Sequence, residues 1–287
     1  MPNVSVVIPT HNRPAWLAEA LASVRAQTFT DYEIIVVSNG ECAETRCKSR
    51  SISEAHGATY FALDKSSVSA ARNFGVAKAA GDWIAFLDDD DIWFPEKLER
   101  QLAEAERSGA DMVVCDYAAF APDGGKCYVA DGTVIRPRVP DGWSRTKAAN
   151  RHCWWTIPSV TLLQKSLFDE VGVFDEGMAY IEDMDLWRRI SWRHRIQDMN
   201  EVLLYYRVGH LNTMHPANAR KRARWDLHHF RKMYRDTPAD LRDALPSFRE
   251  FAAPRLIEIC CPDWLLKLKP RTRFNQLRYR LRLRTRF

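Results

Sequence analysis

Four consecutive carboxylates, Asp88, Asp89, Asp90 and Asp91, follow directly on the apolar run Trp83-Ile84-Ala85-Phe86-Leu87. Like charges this close raise one another's cost of ionisation, so the cluster opposes folding unless a cation or solvent screens it. Hard oxygen ligands of this kind suit Mg²⁺ or Mn²⁺, which commonly bind through one or two carboxylates and complete their shell with a substrate's phosphates. The competing reading is a solvated Asp-rich turn capping the next helix, with Pro95 near its start; capping requires one Asp, and four are present. A second acidic pair, Glu182-Asp183, opens an amphipathic pattern through Leu186, Trp187 and Ile190. It reads as the cap of that helix, since acids favour a helix N-terminus, or as the source of a general base.

The elements around these residues set where they can act. Trp83 to Leu87 predicts a short buried strand, and the carboxyl ends of strands in an open α/β sheet are where ligands bind. Ser5-Val6-Val7-Ile8 and Glu33-Ile34-Ile35-Val36-Val37 predict two further strands, with Thr59-Tyr60-Phe61 a shorter one. Helical spacing runs from Pro14 to Ala26, and helix signals from Ser66 to Ala80 and from Glu96 to Arg107. Asp111 to Cys115, Ser159 to Leu163 and Val202 to Val208 read as later strands, Leu167 to Val171 as a helical turn, and Glu182 to Arg193 as a helix. This alternation predicts an α/β fold with a mostly parallel, doubly wound sheet and helices on both faces. Residues 121 to 150, rich in Gly, Pro, Asp and Arg, read as a long loop of the functional or mobile kind.

At 287 residues the chain suits one large α/β domain with an appendage. No apolar run approaches the ~20 residues of a membrane-spanning helix, and the N-terminus enters a strand without a secretory pattern. Seven cysteines without metal-ligand pairing fit reduced thiols in a cytoplasmic protein. The net charge of +5 conceals an asymmetry: Arg220 to Phe287 holds 19 Lys and Arg against 7 Asp and Glu, so the remainder is acidic. We therefore expect residues 1–215 to form the α/β domain and 216–287 a basic helical or extended region facing a different partner.

The loop after the first strand excludes two common nucleotide sites. A dinucleotide fold places Gly-x-Gly-x-x-Gly there so that backbone can approach a pyrophosphate; this chain has Pro9-Thr10-His11-Asn12-Arg13-Pro14, and it has no Walker-type loop. A nucleoside diphosphate must then be neutralised differently, and the Asp cluster with a divalent cation supplies one way.

Five segments, in order, resemble glycosyltransferase family 2: Ser5-Val6-Val7-Ile8-Pro9-Thr10-His11-Asn12-Arg13, Glu33 to Val37, Ala71-Arg72-Asn73-x-Gly75, Gly81-Asp82 through Asp91, and Glu182-Asp183-x-Asp185-Leu186-Trp187. The resemblance covers about residues 3 to 210. It implies the GT-A (Rossmann-like) fold and an inverting transfer from a nucleotide-sugar donor. By the same resemblance Asp88 and Asp90 form the Asp-x-Asp motif that holds Mn²⁺ or Mg²⁺, and Asp89 faces the ribose side. Pro9, Thr10, His11 and Arg13 would lie along the nucleoside. Asp183 would be the base, with Glu182 supporting it or touching acceptor. Arg72 would assist the phosphates or form a structural ion pair. The chain departs from the family at Ser38-Asn39-Gly40, where two Asp residues often touch the nucleobase, which leaves Asn39 to face it. Trp154 and Trp155 read as a stacking surface for a sugar ring or as core. His210 lies where some relatives place a His near metal or phosphate, or is a hydrogen-bonded structural residue.

From Trp264 to Phe287 there are nine Lys and Arg and no acid, with Leu277 to Arg284 alternating strictly. Near an anionic leaflet each such charge contributes on the order of 1 kcal/mol, so this segment reads as a membrane-surface element or a solvated arm. No nucleic-acid-binding motif accompanies the charge, and no nucleic acid is expected as a partner. The expected enzyme is cytoplasmic, peripheral on the inner face of a membrane, and transfers sugar from a nucleotide donor, UDP by preference, to a surface-glycan or lipid-linked saccharide. Its rivals are another metal-dependent phosphoryl-transfer enzyme and a nucleic-acid-binding protein acting through the basic C-terminus.

Overall fold

The computed structural model describes residues 2–121, 132, 139, 141, 144–150, 156–209, 219–247 and 251. Trp154, Trp155, His210, most of the 121–150 loop and the basic segment from Trp264 to Phe287 lie outside the described residues.

Eight strands form one sheet in the order β3-β2-β1-β4-β7-β6-β8-β5. β1 (Val4–Thr10), β2 (Tyr32–Asn39), β3 (Thr59–Leu63) and β4 (Trp83–Phe86) are mutually parallel, joined by α1 (Pro14–Arg25), α2 (Ala43–Ala55) and α3 (Val68–Lys78). Every residue of β1 is buried, the signature of a parallel strand covered on both faces. The expected α/β architecture is therefore present, with two antiparallel departures. β5 (Ile92–Trp93) runs against β8 (Ile196–Arg207), and β7 (Thr161–Gln164) runs against both β4 and β6 (Met112–Phe120). β6 ends at the carboxyl edge, and β7 starts there beside β4. Without a crossover returning the chain to the opposite edge, the next strand must run antiparallel.

Helix bounds follow local signals closely. Pro14 opens α1, where its missing N–H costs nothing. The Ser67 hydroxyl caps α3 by accepting from Ala70 N–H at 3.2 Å. α4 (Lys97–Ser108) stops at Gly109, whose φ of +64° is the left-handed conformation glycine adopts freely. Gly75 in α3 has a different reason: a Cβ there would collide with the Val7 side chain, so the small residue lets the helix lie against β1. β8 is longer than the expected strand at Val202 to Val208. Its first half, Ile196 to Glu201, is polar and gave no apolar alternation, yet it pairs with the start of β6.

The core lies on both sides of the sheet and is continuous through Val6, Ile8, Val36, Ile84, Phe86, Val113 and Leu162. Phe86 meets Phe168 and Phe174 edge-on, and Phe174 meets Trp187 of α7 (Glu182–Ile190) at 6.1 Å, which seats that helix on the sheet. The short helices α5 (Arg145–Asn150) and α6 (Leu167–Val171) complete this flank. α8 (Ala219–Asp236) opens the basic region and docks on α7: the Lys232 ammonium meets Asp185 at 2.8 Å and Asp175 at 2.6 Å. Among the described residues no helix is long and apolar enough to cross a membrane.

Beneath the sheet's carboxyl edge, Lys97 is wholly buried. Its ammonium donates to Gln101 Oε1 at 2.6 Å and stands 4.1 Å from the centre of the Trp93 ring, and no carboxylate among the described residues pairs with it. Burial draws its pKa down to about 8. An unfolded lysine, with a pKa of about 10.4, keeps its proton where the folded one has lost it, so this group makes stability rise from about pH 8 to about pH 10.4. Lys97→Met should flatten that rise, read from urea unfolding at about pH 7.5 and about pH 10; an equal rise in both proteins would contradict the assignment.

Candidate active site

The carboxyl ends of β1, β2 and β4 meet at one edge, because Thr10 pairs with Ser38 and Val7 with Phe86. Three loops converge there: 11–13 after β1, 40–42 after β2 and 87–91 after β4. Gly40, with φ of +72°, makes the second turn tightly against Ser66, where a Cβ would clash. Glu41 then folds inward. Its Oε1 accepts from Asn12 N–H at 2.8 Å and Ser49 Oγ at 3.2 Å, and its Oε2 accepts from Ser38 Oγ at 2.8 Å. Asn39 donates its amide to the Thr10 carbonyl at 3.1 Å, and the His11 Nδ1–H donates to the Asn39 carbonyl at 2.5 Å. Thr10, His11 and Asn39 thus form one hydrogen-bonded corner at the ends of β1 and β2, with Pro9 just before it in β1.

The four aspartates divide their work. Asp89, expected toward the ribose, is buried and turned back toward the β1 loop: Oδ2 accepts from Thr10 Oγ1 at 2.8 Å and His11 N–H at 3.1 Å. Burial and the Asp90 charge push its carboxyl up to about 7, against the pull of Arg13, Thr10 and His11. Arg13 reaches Asp89 at 3.3 Å and Asp90 at 2.5 Å, with its guanidinium over Trp16. Asp91 is fully buried; burial and the Asp90 and Asp88 charges push it well up, while the Ser159 hydroxyl and the Arg207 N–H pull it back. Arg207, buried between Trp16 and Phe120, donates Nε–H to the Asp90 carbonyl at 3.0 Å and meets Glu19 at 2.6 Å. Asp88 is the most open of the four, its side chain 28% exposed.

The second acidic motif comes to the same place. Arg72 of α3, 4% exposed, donates to Asp88 Oδ1 at 2.6 Å and to Glu182 Oε1 at 2.9 Å, with its guanidinium over Phe174. Burial alone would lower its pKa, but Asp88 and Glu182 outweigh that and raise it, so it stays charged. Asn73 holds the segment before α7, accepting from Phe174 N–H at 3.0 Å and donating to its carbonyl at 2.9 Å. Ile181, the residue before Glu182, has φ of +56°, an outlier for a β-branched side chain and the kind of strain that collects at functional turns. Asp183 accepts from Met184 N–H at 2.7 Å, and burial plus the Glu182 charge push its carboxyl up to about 7, against Arg72. Asp185, two positions on, is different: Arg188, Arg189 and Lys232 surround it and hold it well below the carboxylate range despite its burial.

Glu41, Ser159 and Arg207 belong to this edge although the sequence reading assigned them no role there. Glu41 had no periodicity to mark it as buried, Ser159 read as the start of a strand, and Arg207 read as a strand residue. Only the pairing of β6, β7 and β8 brings the last two under the Asp turn.

The donor set fits a divalent cation that shares its shell with phosphate. Asp88 Oδ2 accepts no hydrogen bond from the described residues, and Asp90 beside it is a second hard carboxylate, paired with Arg13. Among the described residues no group of three or more His, Cys, Asp or Glu could hold a metal by itself, so the remaining ligands would come from substrate, as is usual for Mg²⁺.

Removing Arg72 tests the bridge. Arg72→Met should leave Asp88 and Glu182 uncompensated and cost about 3 kcal/mol, read by urea unfolding; a loss within the scatter of surface substitutions would show that the bridge contributes little.

Residues 5–190 match the family described as Glycosyl transferase family 2. An uncharacterized glycosyltransferase of Rickettsia typhi is 28% identical over 223 residues, 75% of this chain and 67% of the relative. Among solved structures, S. aureus TarS 1-349 in complex with UDP-GlcNAc has a TM-score of 0.58 at 16% identity, over 90% of this chain and 79% of that one; this chain spans 43% of the longer TarS chain. The mannosyltransferase PcManGT from Pyrobaculum calidifontis, in complex with GDP-Man and Mn²⁺, has a TM-score of 0.60 at 18% identity, over 90% of this chain and 69% of that one. At these identities the two structures establish a shared fold. With the family match across most of the chain, the conclusion follows: this protein belongs to glycosyltransferase family 2 and is a glycosyltransferase.

Proposed function

We propose that this protein transfers a sugar from a nucleoside diphosphate, UDP by preference, to a hydroxyl of a surface-glycan or lipid-linked saccharide, with inversion at the anomeric carbon. The observation that carries the reading is the Arg72 bridge, which puts the Asp88–Asp91 turn and the Glu182-Asp183 pair in one site. Asp88 and Asp90 would hold Mn²⁺ or Mg²⁺, which when bound neutralises charge on the departing diphosphate. The corner built from Pro9, Thr10, His11 and Asn39 receives the nucleoside. Arg13 lies beside Asp90 and exchanges carboxylate for phosphate as the donor enters. The fold neighbours solved with UDP-GlcNAc and with GDP-Man and Mn²⁺ support a donor and a cation of these classes.

A single displacement needs one base on the acceptor hydroxyl. Asp183 takes that proton: it lies at the N-terminus of α7, and its carboxyl titrates at about 7, near the pH at which a base is most effective. Glu182, fixed by Arg72, holds the helix end and contributes the like charge that raises Asp183. The basic segment from Trp264 to Phe287 would hold the enzyme against an anionic leaflet, where a lipid-linked acceptor is presented.

Two variants separate the roles. Asp90→Asn should lose both transfer and Mn²⁺-dependent binding of UDP while the fold persists, whereas Asp183→Asn should lose transfer, by about 100-fold or more, and still bind UDP. Full activity in the first, or lost UDP binding in the second, would refute the corresponding assignment. The base must be ionised to act, so kcat should rise with pH through about 7. Glu182→Gln removes a like charge and should move that rise to lower pH; an unmoved profile would exclude Asp183 as the titrating group.

A further inference from the structure

A buried frame lies directly under the aspartate turn. The short 3₁₀ turn Pro158–Val160 leads into β7, and because β7 is antiparallel to β4 this turn sits beside the point where β4 delivers Asp88. Ser159 is completely buried there. Its hydroxyl accepts from the Asp88 N–H at 3.0 Å, and its carbonyl accepts from the Trp93 indole N–H at 2.8 Å. One serine therefore contacts the chain on both sides of the turn, at Asp88 and at β5. Behind it, Gln101 donates one amide to two carbonyls, Val160 at 2.9 Å and Val113 at 3.1 Å, tying the 3₁₀ turn to β6. The amide can face those carbonyls only if its oxygen faces the other way, and Lys97 donates to that oxygen. The hydroxyl of Thr161, two residues after Ser159, donates back to the Pro158 carbonyl at 2.7 Å and among the described residues makes no bond to the aspartate turn.

We propose that Ser159 is a positioning residue for sugar transfer, fixing the backbone of the Asp88–Asp91 turn so that Asp88 and Asp90 present their carboxylates together. The inference rests on the reading of those two residues as the cation-holding pair. Ser159, completely buried, acts through the Asp88 amide and through the Asp91 carboxyl that its hydroxyl also reaches. A hydrogen bond of this kind contributes up to about ten-fold to an equilibrium it controls. Trp93 and Gln101 hold Ser159 and its turn in place, and the Lys97 donation fixes which way the Gln101 amide faces.

The test uses the full chain with Mn²⁺ and UDP as probes. Ser159→Ala should raise the Mn²⁺ concentration at half-maximal UDP binding by about ten-fold and speed amide hydrogen exchange in the peptide spanning 86–94. Thr161→Val, which removes a neighbouring buried hydroxyl with no link to the turn, should lower Tm but leave both readouts unchanged. If Ser159→Ala lowers Tm alone, or if Thr161→Val moves the Mn²⁺ midpoint equally, Ser159 is merely structural and the proposal fails. Should wild-type protein bind UDP without regard to Mn²⁺, the cation assignment fails. The exchange experiment then still decides whether Ser159 orders the turn, and unchanged exchange overturns that as well. If Ser159→Ala does not fold, Trp93→Phe, which removes the indole N–H donated to the Ser159 carbonyl together with part of the buried ring, should shift the Mn²⁺ midpoint in the same direction by about three-fold; no shift overturns the proposal.

Discussion

A guanidinium buried between two carboxylates of different motifs is the interaction on which the site depends. Arg72 reaches Asp88 on one side and Glu182 on the other, and its own burial would be costly without both. Asp88, Asp89, Asp90, Asp91, Glu182 and Asp183 crowd the ends of β4 and α7. Arg13 and Arg72 are paired with them directly, and Arg207 donates its Nε–H to the Asp90 backbone carbonyl and its own backbone N–H to the Asp91 carboxyl. The compensation is uneven, and the unevenness has chemical content. Asp183 and Asp89 are driven up to about 7, whereas Asp185, three positions along α7 from Glu182, is driven down by three cations. Neighbouring carboxylates on one helix are thus prepared for different tasks by what packs against each face.

Topology supplies the rest of the constraint. Parallel β1, β2 and β4 bring their loops to a common edge, and the antiparallel β7 brings a fourth segment there from the opposite direction. Asn73 and the aromatic contacts of Phe174 then hold the chain that leads into α7, so that one helix, α3, governs both acidic motifs through adjacent residues. α8 braces α7 from outside through Lys232. The first part of the basic region therefore packs with the catalytic body.

Much of this was legible from residue types. The apolar runs of β1 and β4, the Pro at the start of α1, the Gly at the end of α4 and the run of four Asp announce themselves locally, because each reflects an intrinsic backbone preference or a simple charge argument. β7's direction and the first half of β8 were not legible. Periodicity reports which face of a strand is buried and carries no information on its orientation, and Ile196 to Glu201 buries only Ile196 and Met199, a spacing of three that shows no strand alternation, while its backbone pairs with β6. The reading of Asp89 toward the ribose came from motif position; its hydrogen bonds to Thr10 and His11 come from the folded structure.

The sequence by itself determined the class of chemistry: hard carboxylates after a buried strand, an acidic pair opening an amphipathic helix, and no glycine-rich phosphate loop. Local order along the chain suffices for that, since it depends on residue type and short-range spacing. Which carboxylate is paired, which is raised and which remains open was decided only by the tertiary structure. Those properties depend on Arg72, Ser159 and Arg207, which lie from 16 to well over 100 residues away from the groups they touch. Coulombic and desolvation energies depend on distance in space, and only the folded sheet sets those distances.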